Sequence, residues 1–273
     1  MRNRQRGFTL AEAIIVIVVT GILASIVAVF IPMPLRGYVE TAARADLTDV
    51  ADAALRRMAR DLRLALPNSI RTGTDGSGNP YIEFLLTASG GRYLAEEDNP
   101  TAGNILDFAT AANKTFDVVG PMPAVAAGNS VVVYNLGPNM NPADAYAGGN
   151  RAQVASVAAP GVTLVSNPFA VQATKMRSPN RRFQVVTTPV TYGCVGGTLT
   201  RYWGYAISPS QPTPPSGAGL QTALLAMGAT SCAFSYTSLA NVRSGLVGLG
   251  LTLQNSTGET VSLFHQIHVD NTP

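Results

Sequence analysis

The sequence has few of the residues on which catalytic and metal centres are usually built. It contains only two cysteines, two histidines and one tryptophan, and 13% of its residues are charged. The cysteines do not form a Cys-x-x-Cys pair, and no histidine stands near either of them in the sequence. Gly-x-Ser-x-Gly, His-Glu-x-x-His and phosphate-loop motifs are all missing. The composition therefore argues against an enzyme and indicates no cofactor.

Two segments come close to metal-binding patterns, but neither fits. His265 and His268 are three residues apart in a strand-like segment, so their side chains would point to opposite faces of the strand. The segment 75–79 (Asp-Gly-Ser-Gly-Asn) resembles the start of a calcium loop. However, Pro80 replaces the glycine of the sharp turn, and Leu86 replaces the closing glutamate. We therefore expect no metal site.

Positive charge is concentrated at the amino terminus. The chain has 19 Lys and Arg against 16 Asp and Glu, and three of the arginines lie within residues 1–7. The remainder carries 16 basic and 16 acidic residues, and its longest basic blocks are the pairs Arg56-Arg57 and Arg181-Arg182. A protein that binds nucleic acid usually presents a larger basic patch. The sequence therefore gives no reason to expect a nucleic-acid partner.

An apolar run from residue 8 to residue 31 contains a single charged residue, Glu12. A helix of about 24 residues is roughly 36 Å long, which is enough to cross a membrane. The arginines on its amino side predict that this end stays in the cytoplasm and that the rest of the chain is exported. A carboxylate in such a segment is costly, so Glu12 is expected to have a function. An uncleaved signal anchor, or a secretory signal peptide with an incidental glutamate, remains an alternative.

The residues Arg6-Gly7-Phe8-Thr9-Leu10-x-Glu12 resemble the cleavage and methylation signal of type IV prepilins and pseudopilins. The resemblance implies that a prepilin peptidase/methyltransferase cuts between Gly7 and Phe8 and methylates the new amine of Phe8. It also implies that Glu12 neutralises the amine of a neighbouring subunit. Ala11 departs from the bulkier aliphatic residue common at that position. The implied partners are the peptidase, other major and minor pilins, the pilus assembly platform and the inner membrane.

Three regions follow from this reading. Residues 1–7 form a cytoplasmic leader, 8–66 form the long pilin-type helix, and 67–273 form a β-rich periplasmic or extracellular head. Within the long helix, 8–31 is transmembrane, the prolines at 32–34 predict a break, and 36–66 is amphipathic. The apolar positions that recur every three or four residues in this last part are Val39, Ala43, Leu47, Val50, Ala54, Met58, Leu62 and Leu66.

The head alternates short strand-like runs with turns that are rich in glycine, proline and asparagine. The predicted strands are 81–86, 130–134, 162–165, 183–188, 199–207, 233–236, 246–253 and 261–269. We expect loops at 135–150 and 209–219, and a short helix at 220–227. The expected fold is α+β and type IV pilin-like, with a long amino-terminal helix packed on a mostly antiparallel β head.

Cys194 and Cys232 are the only cysteines of a chain whose head is expected to be exported. An even pair in an oxidising compartment is most simply one disulfide. The bond would close a loop of nearly forty residues and stabilise the head by roughly 3–4 kcal/mol. Two unpaired buried thiols are the alternative.

A second, narrower resemblance concerns the head and the end of the long helix. Segments 62–69, 183–194, 199–205 and 261–273 are similar to minor pilin-like proteins of mannose-sensitive haemagglutinin (MSHA) pilus systems. This resemblance implies a minor subunit that primes or caps a pilus and is held in the inner membrane before it assembles. Two other functions remain open: a minor pseudopilin of a type II secretion system, and a tip adhesin for carbohydrate or a surface. For the adhesin, Tyr202, Trp203 and Tyr205 could stack on sugars, although a core role is the plainer explanation.

Overall fold

The computed structural model describes residues 7–30, 32–238 and 243–273. Most of the predicted leader and Ile31 therefore lie outside the described residues. The chain begins with helix α1, Leu10–Phe30, and helix α2, Pro32–Leu62. Proline suits the first position of a helix, where its missing N–H costs no hydrogen bond.

Helix α2 ends at Leu62, four residues before the end that its periodicity predicts. Leu64 and Ala65 close a tighter turn, because their amides donate to the carbonyls of Asp61 and Leu62. The amide of Leu66 then donates to the carbonyl of Leu85 in the sheet. The apolar pattern continues past the helix because Leu66 is still buried, but its backbone has already joined a strand.

Twelve strands are described after the helices. They are β1 (Arg71–Thr74), β2 (Pro80–Tyr93), β3 (Thr115–Val119), β4 (Ser130–Val132), β5 (Arg151–Ala158), β6 (Gly161–Leu164), β7 (Arg182–Val195), β8 (Thr198–Trp203), β9 (Gln221–Met227), β10 (Ala229–Ser238), β11 (Ser244–Gln254) and β12 (Thr260–Asp270). Two short 3₁₀ turns occupy Glu96–Asp98 and Pro168–Val171.

The strands form two structures that share strands and one separate sheet. Strands β1, β2, β7, β8 and β9 lie side by side in one sheet, which we call the helix-side sheet. Strands β2, β3, β6, β5, β4 and β7 close into a ring, because β2 and β7 also pair with each other; we call this ring the barrel. Strands β10, β11 and β12 form a separate small sheet. All described pairings between these strands are antiparallel, and the predicted α+β class with a mostly antiparallel head is confirmed.

Strands β2 and β7 belong to both the helix-side sheet and the barrel. Residues 80–83 of β2 pair with β1, whereas Arg92 and Tyr93 pair with β3. Residues 184–186 of β7 pair with β4, whereas 190–195 pair with β8. The β2–β7 register shifts between Leu86 and Ser89, where the pair passes from the sheet into the barrel. Such bulges bend a strand and increase its twist.

Each part of the head has its own core. Around α2, the main core joins the buried face of the helix to the helix-side sheet and the small sheet; it includes Leu55, Met58, Phe84, Tyr192 and Leu249. The barrel encloses a second core of aromatic and branched residues, including Phe108, Phe116, Phe169 and Phe183. A smaller cluster at the junction includes Leu66, Leu85 and Tyr146. The disulfide between Cys194 of β7 and Cys232 of β10 joins the helix-side sheet to the small sheet.

The short helix predicted at 220–227 is wrong, because this segment is strand β9. Leucine and alanine favour a helix locally, but the segment pairs with β8 from Trp203↔Gln221 to Thr198↔Met227. Non-local pairing therefore outweighs the local preference.

Candidate functional site

Helix α1 presents its whole surface to the surroundings. None of its residues, all of which the structure describes, is buried, and none belongs to a core of the head. Its mean hydropathy reaches 3.0, and it is long and apolar enough to cross a membrane, although a signal sequence would pass the same test. Exposing so large an apolar surface to water is energetically unfavourable. Either lipid or other protein chains must cover α1.

Glu12 and Thr9 close the amino end of α1 through a reciprocal pair of contacts. The Thr9 amide donates to Glu12 Oε2 at 3.3 Å, and the Glu12 amide donates to Thr9 Oγ1 at 3.3 Å. The Thr9 hydroxyl also donates to Glu12 Oε2 at 3.2 Å. This is a capping box, in which the carboxylate satisfies a free amide and faces the positive end of the helix dipole. The charge of Glu12 therefore has partners within its own subunit.

Gly7 and Phe8 lie before the first residue of α1, and both are exposed. Phe8 retains 77% of its accessible surface, and among the described residues no atom lies within 4 Å of the place that a Cβ on Gly7 would occupy. The peptide bond between them is therefore open to an approaching protein. Residues 1–6 lie outside the described part of the chain, so the arginines of the predicted leader have no described position.

The end of α2 is fixed to the helix-side sheet by a buried charge pair. Asp61 Oδ2 accepts hydrogen bonds from Arg201 Nε at 2.7 Å and from the Tyr192 hydroxyl at 2.8 Å. Arg57 Nε lies 3.5 Å from Asp61 Oδ1, and the Arg201 guanidinium covers the ring of Trp203. Burial, followed by the charge of Asp61, raises the pKa of the Tyr192 hydroxyl, which therefore acts as a neutral donor.

A second buried network lies where β1 and β2 meet the long loop after β8. Glu83 is completely buried, accepts from Arg71 Nε at 2.7 Å and accepts from the Tyr205 hydroxyl at 2.9 Å. Burial raises the pKa of the Glu83 carboxyl, although Arg71 opposes this effect. Arg71 also donates to the carbonyls of Ser208 and Pro209. The network therefore fixes the start of the loop 209–219 against the sheet.

The three aromatics considered for sugar stacking are only partly available. Tyr205 is 4% exposed, and its hydroxyl lies 2.6 Å from Thr191 Oγ1. Trp203 is half-buried beneath the guanidinium of Arg201, whose central carbon lies 4.5 Å from the ring centroid. Tyr202 is also half-buried. Tyr205 and Trp203 contact the two networks, and the arrangement of the three side chains gives little support to a sugar-stacking surface.

The histidines lie on opposite faces of β12, as their spacing predicts. His265 Nε2 lies 3.7 Å from Asp52 Oδ1 of α2, whereas His268 is exposed. Among the described residues, no group of three or more His, Cys, Asp or Glu side chains could hold a metal ion. The Asp75 carboxylate accepts from the amides of Ser77 and Asn79, so it closes the turn between β1 and β2.

The sequence analysis did not identify the two buried charge networks. One signal was present: Glu83 interrupts an otherwise apolar strand, and a charge at such a position usually has a buried partner. Asp61 gave a weaker signal, because Arg57, one helical turn away in the sequence, already offers it a partner. Arg201 could not be assigned to Asp61 from the sequence, since 140 residues separate them.

Comparison with known proteins gives a match at the amino terminus only. The family model described as "Prokaryotic N-terminal methylation motif" matches residues 2–28. Neither a curated protein nor a solved structure matches the chain. The match covers the predicted cleavage signal and most of α1, and it implies processing by a prepilin peptidase and assembly with other pilins. The motif, together with the exposed apolar helix and the β head, supports a membrane-anchored structural subunit of the type IV pilin and pseudopilin family.

Proposed function

We propose that this chain is a minor pilin-like subunit that is cut between Gly7 and Phe8 and then assembles into a type IV filament through α1 and Glu12. Before assembly it crosses the inner membrane once, with its head in the periplasm; afterwards it lies in a pilus at the cell surface. The observation that carries this proposal is the methylation motif on an entirely exposed apolar helix with one carboxylate near its end. Lipid covers this helix before assembly, and neighbouring pilin helices cover it afterwards.

The capping box suggests how Glu12 acts in both states. In the isolated subunit, Thr9 and the helix amides lower the cost of keeping a carboxylate in an apolar environment. A carboxylate has about four lone-pair sites, so Glu12 can also accept from the Phe8 amine of a neighbour without leaving its cap. In the apolar interior of a filament such a charge-assisted contact is strong, because no water competes with it. Glu12 thereby sets the axial register between subunits.

The proposal extends to the kind of filament. The similarity of segments 62–69, 183–194, 199–205 and 261–273 to MSHA-type minor pilins, and to MshO among them, favours a subunit that primes or caps an MSHA-type pilus. Because this chain retains Glu12, it can dock beneath another subunit. A minor pseudopilin of a type II secretion system is the second candidate, since the same motif serves both machines. The neighbouring genes distinguish the two, because pilus and secretion operons contain different partner genes.

Two substitutions test the proposal in the native host. Gly7→Ala is expected to leave the leader attached, which the intact mass of the membrane-bound chain would show. Glu12→Ala is expected to permit cleavage but to reduce the amount of the subunit in sheared fibres. Glu40→Ala is the matched control, because Glu40 is an exposed glutamate on α2, outside the apolar helix. Cleavage at another bond, or normal fibre entry of the Glu12 variant, would contradict the proposal.

A further inference from the structure

A hollow of about 550 Å³ lies at the surface of the barrel, beside the paired ends of β2 and β7. Small-molecule sites have volumes of roughly 300–1,000 Å³, so the hollow is large enough for a ligand. Gly90 and Gly91 line it and bring no side chains that could fill it. None of its lining residues belongs to the long helix, so a ligand here would go beyond the proposed function.

Two arginines stand directly opposite each other in this hollow. Arg92 of β2 is the register partner of Arg182 of β7, so both side chains leave the same face of the strand pair. Like charges in directly opposed positions of an antiparallel pair are destabilising. An anion held between the two guanidinium groups would relieve this repulsion.

The nearest carboxylate neutralises only part of this charge. Asp98 Oδ1 accepts from Arg92 Nη2 at 2.5 Å and also from Arg181 Nη1. Arg182 is exposed and has no ion-pair partner in the part of the chain that the structure describes. Because Asp98 already serves two arginines, the charge of Arg182 remains available to a ligand.

Gln184 adds an amide whose oxygen has no hydrogen-bond partner. It lies opposite Gly90 in the β2–β7 register, on the same face as Arg182, and it lines the hollow. Its Oε1 is buried and accepts from none of the described residues. A buried acceptor without a donor is costly, and Oε1 can turn toward the hollow without losing a hydrogen bond. A hydroxyl of a ligand in the hollow would supply the missing donor, and the exposed amide of Asn180 offers a second partner.

We propose that this hollow binds an acidic sugar, with Arg182 as the main partner of its carboxylate and Gln184 as the partner of a ring hydroxyl. A guanidinium group binds a carboxylate through two parallel hydrogen bonds. A neutral sugar would leave the opposed arginines uncompensated, and a simple anion would leave the Gln184 oxygen without a donor. A hexuronate carries both the charge and the hydroxyl groups.

Calorimetric titration of the full-length chain in detergent with trigalacturonate tests the ligand class. Its methyl ester is the matched neutral ligand, and we expect it to bind at least about tenfold more weakly, because it offers no charged acceptor. Tri-glutamate and inorganic sulfate carry charge but no hydroxyl, and each should bind at least about threefold more weakly. Equal affinity for the ester, for tri-glutamate or for sulfate would overturn an acidic sugar as the ligand.

Substitutions in the hollow test the residues. Arg182→Gln is expected to weaken trigalacturonate binding about tenfold, and Gln184→Met, which keeps the side-chain length, about threefold. Arg63→Gln is the matched control, because it makes the same change at an exposed arginine outside the hollow, and it should leave the affinity unchanged.

Thermal unfolding separates a binding role of Arg182 from a structural one. The Tm of Arg182→Gln should equal or exceed that of the unaltered chain, because the substitution removes a repulsion from the strand pair. Unchanged affinity in Arg182→Gln, weaker binding accompanied by a lower Tm, or no measurable binding of trigalacturonate to the unaltered chain would each contradict the proposal.

Discussion

Asp61 is the position where one substitution is expected to loosen the long helix from the head. Its carboxylate is 11% exposed and accepts from Arg201 and Tyr192. Asp61→Ala leaves the Arg201 guanidinium, itself 9% exposed, without its counter-charge. Removing one partner of a buried pair costs about 3–5 kcal/mol, and we expect the lower end because Arg201 keeps its contact with Trp203. For a chain of this size, about 3 kcal/mol lowers the Tm by roughly 6–12 °C.

Thermal unfolding of the full-length chain in detergent, followed by near-ultraviolet circular dichroism, measures this loss. Asp61→Asn keeps one oxygen as an acceptor and is expected to lose about half as much free energy. The control is Asp52→Ala on the same helix. The pair of Asp52 with Arg56 is more exposed than that of Asp61 with Arg201, so losing it should cost less than about 1 kcal/mol.

A double variant separates the lost charge pair from lost packing. Asp61→Ala with Arg201→Met removes both charges, so we expect it to recover at least about half of the stability that Asp61→Ala loses. The reasoning would be refuted if Asp61→Ala were as stable as Asp52→Ala, or if the double variant were less stable than Asp61→Ala alone.

The remaining predictions concern the disulfide, a strand glycine and an acid-sensitive turn. Replacing Cys194 and Cys232 by serine should lower the free energy of unfolding by about 3–4 kcal/mol, measured in urea, because the bond closes a 38-residue loop. Gly193→Ala should cost about 1–3 kcal/mol in the same assay, because its Cβ would clash with the buried ring of Tyr81. The backbone amide of Ala95 holds the pKa of Asp98 below its usual value, so Asp98 stabilises the fold above about pH 4 and loses this effect as the pH falls. The urea midpoints of wild type and Asp98→Asn should therefore differ at pH 7, and the difference should shrink as the pH falls below about 4.

Local sequence information was enough for the helices. The apolar run predicts α1, and the three-to-four-residue period predicts the buried positions Ala54, Met58 and Leu62 of α2. Two other positions of the predicted stripe, Val39 and Val50, are exposed. The ion pairs Asp52–Arg56 and Arg57–Asp61 likewise join residues one turn apart on α2. These features depend on residues close in the sequence, which is why the sequence predicts them.

Features that depend on distant residues could not be predicted in the same way. Strands β1 and β3 are short and partly polar, and they gave no recognisable signal. The barrel closes because β2 pairs with β7 between residues that are 90 or more positions apart, as Arg92 is from Arg182. No sequence pattern within either strand indicates that the other strand is its partner. The buried position of Glu83 likewise depends on Arg71 and on Tyr205, which lies 122 residues away.

Strands β2 and β7 run without interruption from the helix-side sheet into the barrel. A flexible linker would let the barrel move freely relative to the helix-side sheet, but the two shared strands join them rigidly. In the proposed filament, tension on the barrel should therefore pass directly to the sheet that holds α2.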